Sequence, residues 1–128
     1  MTAQRISADH RARIIAALLP FRPAVIYLFG SFGTGRQHPA SDIDIAFIPT
    51  LPADPLTCFQ ISNTLADGLG YTVDLVNLRN SSTVLAKEVL LTGIPLEIQR
   101  EDIQQEFEML TLSDYARLNE ERAAILAS

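Results

Sequence analysis

The chain has 128 residues, 48% hydrophobic and 20% charged, and its ten Lys plus Arg against fifteen Asp plus Glu give a formal net charge of −5. That length and composition describe one soluble domain with a core of its own, exclude disorder, and exclude a transmembrane helix, since no apolar run approaches the roughly 20 residues a bilayer needs. The acidic balance argues against a broad electrostatic grip on nucleic acid, and a single cysteine, Cys58, excludes an intrachain disulfide or a Cys-based zinc site.

The N-terminus leads into an amphipathic stretch without the apolar core and cleavage site of a secretory leader, so a cytoplasmic location is expected. Residues Ser7 to Leu19 read as a helix with Ser7 as N-cap, Ile14, Ile15, Leu18 and Leu19 as the apolar stripe, and Pro20 and Pro23 ending it. Ala24 to Phe29 is short, β-branched and aromatic, which predicts a buried strand stopping at Gly30. A loop punctuated by Gly33, Gly35 and Pro39 leads to a second strand, Asp42 to Ile48, closed by Pro49 and expected to pair with the first.

Beyond a proline-bearing loop, Leu56, Phe59 or Gln60, and Leu65 suggest a helix ending near Gly68 and Gly70, and Tyr71 to Leu78 reads as a third strand. Ser81 or Ser82 can cap a further helix running to about Thr92, with Gly93 as its C′ residue. Ile94 to Ile98 is a short strand that Pro95 confines to a sheet edge or to a strand's start. From Glu101 onward, Ile103, Phe107 and Leu110 mark one helical face, and Tyr115, Leu118, Ile125 and Leu126 continue an apolar pattern, as one helix or two. Alternating helices and strands predict an α/β (α+β) fold: a small mixed β-sheet packed by helices, one domain over 1–128, with its core at about 7–98 and a C-terminal helical segment at about 101–126.

The chemistry concentrates in Asp42-Ile43-Asp44. Strand alternation puts both carboxylates on one face and leaves Ile43, Ile45 and Phe47 to pack on the other. Taken alone, such a tripeptide reads as a turn cap followed by a water-facing acid. Asp74, set among apolar residues of the third strand, changes the weighing, because Asp is depleted from strands. If the two strands are neighbours, three carboxylates converge as a two-cation phosphoryl-transfer site requires, with Mg²⁺ the favoured hard ion and Mn²⁺ a substitute. Gly30-Ser31, directly after the first strand, can turn backbone N–H groups and a hydroxyl toward a phosphate, or simply form a strand-to-helix turn. A P-loop fails because Arg36 and Gln37 stand where Lys and Ser or Thr belong, and an EF-hand fails at Ala46.

Gly30-Ser31, ten intervening residues, and Ser41-Asp42-Ile43-Asp44-Ile45, with Gly35 between and Val73-Asp74-Leu75 beyond, resemble the signature of the DNA polymerase β-like nucleotidyltransferase superfamily. The similarity is greatest to its minimal nucleotidyltransferase branch, over about Ser7 to Ile98, many of whose members are antitoxins partnered with HEPN-domain ribonuclease toxins. The resemblance implies a protein adenylyltransferase that moves AMP from ATP to a tyrosine of such a toxin. In that reading Asp42, Asp44 and Asp74 hold two Mg²⁺ ions, and Gly30 and Ser31 hold the β- and γ-phosphates. Transfer to a small hydroxylated molecule such as an aminoglycoside, noncatalytic neutralisation by binding, and a DxD glycosyltransferase are the alternatives. Neither nucleic acid nor membrane is an expected partner. Arg36 and Lys87 are left outside the site.

Overall fold

A computed structural model describes residues 6–30 and 43–127. Helix α1 (Ala8–Leu18) starts where expected, the Ser7 side chain accepting a hydrogen bond from the His10 N–H at 3.0 Å. A 3-10 turn, Leu19–Phe21, then carries Pro20. Strand β1 (Val25–Phe29) and strand β2 (Ile43–Ile48) pair antiparallel, with Phe29 opposite Asp44. Helix α2 (Pro55–Leu69) is capped by Asp54 and stopped by Gly70 at φ 79. Strand β3 (Val73–Asn77) follows, then a 3-10 turn, Leu78–Asn80, and helix α3 (Thr83–Thr92), capped by Ser82. Strand β4 (Ile94–Ile98) and helix α4 (Glu101–Ala127) complete the described chain.

The sheet order is β3-β2-β1-β4. β1 runs antiparallel to both neighbours and β2 parallel to β3, so the sheet is mixed. Parallel neighbours need a crossover, which α2 supplies. β4, with its Pro95, lies at an edge as the missing N–H requires.

Helices cover both faces. On one, Ile26, Leu28, Ile43, Ile45 and Phe47 pack beneath α1 and α2, with Phe47 stacked on Phe21 at 5.4 Å. On the other, Val25, Tyr27, Ala46 and Ile48 pack beneath Ala86 and Val89 of α3 and against Ile103 and Phe107 of α4. Each Val, Leu, Ile or Phe side chain so buried contributes about 1.5–3 kcal/mol relative to exposure. β2 is therefore buried on both faces along its whole length except at Asp44.

Two local expectations need correction. The inner face of α2 runs through Cys58, Ile61, Leu65 and Leu69, whereas Leu56 and Phe59 are exposed by 64% and 63%. The C-terminal segment is one unbroken helix that turns Ile103, Phe107 and Thr111 inward, an i, i+4, i+8 stripe, and leaves Leu110, Ile125 and Leu126 exposed. Gly93 ends α3 as expected, in extended conformation; a side chain there would place Cβ 2.5 Å from the Val89 carbonyl oxygen, so glycine serves close approach. Lys87 lies 4.4 Å above the Tyr115 ring and ties α3 to α4, consistent with its exclusion from the site. Among the described residues no helix is long and apolar enough to cross a membrane.

Candidate active site

Asp44 lies on the central part of the sheet, opposite Phe29 of β1 on one side and opposite Asp74 of β3 on the other. Alternation sends Ile43 and Ile45 to the α1–α2 layer, so Asp44 shares the opposite face with Ala46, and Asp74 shares it with Val76. The two acids are thus direct register partners projecting from one face, their strands about 4.8 Å apart. Asp44 is half-buried and Asp74 exposed. Like charges in directly opposed positions destabilise a sheet, and an interposed cation reverses that effect.

Gly30 closes the third side. Its φ is 71, in the left-handed region, and a Cβ built on it would lie 2.1 Å from Oδ2 and 3.0 Å from Cγ of Asp44. Glycine is required twice over, by backbone conformation and by the carboxylate resting against it. The close approach anticipated at Gly30 was toward a phosphate; in the structure its nearest neighbour is Asp44.

Of the five residues singled out in the sequence, Gly30, Asp44 and Asp74 are brought together, while Ser31 and Asp42 lie outside the described residues, as does Arg36. Among the described residues no third His, Cys, Asp or Glu joins the pair to complete a metal cage. The donors present are nonetheless the right kind for a divalent cation: two hard carboxylates, in register, on one face.

A groove of about 620 Å³ opens beside Asp74 and runs along β3 between α2 and the turn before α3. Cys58 lines it, and burial, with the Asp54 charge, pushes its thiol up, the reverse of nucleophile activation. Exposed Phe59 lines it too. The sequence offers Phe59 or Gln60 in the helical spacing with Leu56 and Leu65, and no periodicity separates a core position from a groove wall one residue around the helix.

Residues 14–115 match the family described as Polymerase beta, Nucleotidyltransferase. Over 102 residues, 80% of this chain and 73% of the other, the sequence is 41% identical to a protein adenylyltransferase, MntA, of Shewanella oneidensis. A crystal structure of a toxin-antitoxin with AMP-PNP superposes with a TM-score of 0.80 at 39% identity, covering 91% of this chain and 95% of that one. A rebuilt structure of tri-AMPylated Shewanella oneidensis HEPN toxin in complex with MNT antitoxin gives 0.76 at 33% identity, covering 93% and 94%.

Proposed function

This chain belongs to the polymerase beta nucleotidyltransferase family, and from that premise we propose that it is an antitoxin that transfers AMP from ATP to a tyrosine hydroxyl of a HEPN-domain toxin, neutralising it. The observation that carries this reading is the register pairing of Asp44 with Asp74 against Gly30. Support comes also from the relative named as a protein adenylyltransferase and from the similar chain found with a tri-AMPylated toxin.

Asp44, Asp74 and, by its place two residues before Asp44 in the sequence, Asp42 would hold Mg²⁺. Divalent cations held there would neutralise charge on the triphosphate and on departing pyrophosphate. The acceptor oxygen attacks the α-phosphorus, the bond to the β-phosphate oxygen breaks, and pyrophosphate leaves. Gly30, whose side-chain space the Asp44 carboxylate fills, would meet a phosphate through its backbone N–H, and Ser31 would donate its hydroxyl to a phosphate oxygen. Asp74, the exposed acid, stands on the side open to an acceptor and favours loss of the attacking hydroxyl's proton.

The test is incubation of the protein with Mg²⁺, α-labelled ATP and its cognate HEPN toxin. Label on a toxin tyrosine, with the ribonuclease silenced in proportion, is expected. A toxin silenced without label would assign neutralisation to binding alone and overturn the enzymatic reading.

A further inference from the structure

Among the described residues β3 is the outermost strand on its side of the sheet, and β2 occupies only its inner edge. The Ile43 N–H donates to the Thr72 carbonyl at 2.8 Å, and with Ile43 opposite Val73 this parallel register turns the backbone groups of Asp74 and Val76 toward β2. Strand alternation then leaves the N–H and C=O of Val73 and Leu75, and the N–H of Asn77, on the outer edge. Among the described residues these groups have no backbone partner.

That edge forms the floor of the groove. Phe59 and Asn63 of α2 stand on one bank, and Asn80 and Ser81 on the other. A row of alternating backbone donors and acceptors, with apolar and amide walls, is complementary to one ligand chemistry, an extended polypeptide that adds a strand. A nucleic acid strand is disfavoured, because among the described residues the only charged side chain lining the groove is the Asp74 carboxylate, which repels phosphate. A residue opposite Asp74 on an added strand would project from the same face as that carboxylate, about 4.8 Å further along the sheet. Asp44, Asp74 and this residue would then stand level on three successive strands.

Resting on the reading of this chain as a protein adenylyltransferase, we infer that the toxin docks by laying the segment that bears its acceptor hydroxyl against β3 in extended form, the acceptor side chain level with Asp74. Specificity for the partner is then written in the β3 edge and its walls, separately from the nucleotide site.

Amide exchange measured residue by residue by NMR, on the full chain with and without its cognate toxin, tests the docking without requiring turnover. Val73, Leu75 and Asn77 should exchange fast in the free protein and become protected in the complex, whereas Asp74 and Val76, bonded to β2, are protected in both. Two variants read the same edge kinetically. Leu75→Pro deletes one outer donor while sparing the bonds to β2. Asn63→Arg, at an exposed helical position, fills the groove and leaves the core intact. Leu75→Pro should raise the KM for toxin about tenfold, the scale of one or two lost hydrogen bonds, and Asn63→Arg, by obstruction, at least as much, with ATP affinity unchanged in both. Outer amides that exchange equally fast with toxin bound, or an unchanged KM in Asn63→Arg, would overturn the inference. So would protection that appears on concentrating this chain without toxin, which would mean edge pairing between copies. If the outer amides are protected but no label reaches the toxin, docking stands and the adenylyltransferase reading falls.

Discussion

A Cβ added to Gly30 would sit 2.1 Å from the Oδ2 atom of Asp44, so the residue just after the first strand and the acid at the second position of the second are sterically interlocked. Substitution at this point must displace the carboxylate or the backbone that carries it. Gly30 and Gly70 share a left-handed conformation, φ 71 and φ 79, but nothing lies within 4 Å of a Cβ at Gly70.

This pair separates strain from collision. Gly70→Ala should cost roughly 1–2 kcal/mol by urea unfolding, the penalty for a left-handed alanine, and leave AMP transfer at the wild-type rate. Gly30→Ala should carry that penalty and also abolish transfer, because Asp44 moves. Equal activity in the two variants would remove the carboxylate contact from the explanation.

The N-cap of α2 gives a pH dependence. The Thr57 hydroxyl and then the Thr57 N–H donate to the Asp54 carboxylate, at 2.6 and 3.0 Å, and hold its pKa below the ordinary 3.8. A lowered folded value means that the stability this acid adds is complete above its unfolded value and drains away as pH falls through the folded one. Asp54→Asn, which keeps a capping oxygen, should flatten the acid limb of the unfolding curve below about pH 4 while matching wild type at neutral pH. The effect should be small, since the group is exposed and screened by solvent. Urea midpoints across the acid range are the measurement.

The face that α4 presents to the fold gives a contrast in stability. Phe107 is half-buried against the α3 layer, and Leu110 is 56% exposed. Phe107→Ala should lower stability by about 2 kcal/mol, less than the 3–5 of a fully buried Phe, whereas Leu110→Ser should stay within about 0.5 kcal/mol of wild type. A larger loss for Leu110→Ser, by thermal melting, would reinstate the stripe expected from sequence.

That contrast marks where sequence reasoning stopped. Period-2 alternation in Asp42–Ile48 was legible because strand geometry is local, and it placed Asp44 on the face away from Ile43 and Ile45, where the structure has it. The caps Ser7 and Ser82 were legible for the same reason, since each side chain bonds an N–H three residues on. The meeting of Asp44 with Asp74 depends on β2 and β3 being neighbours, a long-range pairing that the sequence allowed only as a condition. Helix faces were read least well. In α2 and α4 apolar residues occur around more than one side, so Phe59 and Leu110 satisfied a helical spacing without being the residues the sheet covers. The open edge of β3 follows from the strand order β3-β2-β1-β4, which no segment encodes by itself.

The most direct measurement is the rate of Mg²⁺-dependent AMP transfer to the toxin by Asp74→Asn, set beside its melting temperature without metal. Asparagine preserves shape and removes the charge facing Asp44, so the metal-free protein should melt at or above the wild-type temperature. Transfer should fall by more than the roughly 10–100-fold typical of losing a group that merely supports a metal ligand. Transfer at the wild-type rate, from a variant that folds normally, would contradict the assignment of Asp74 to the metal and acceptor site.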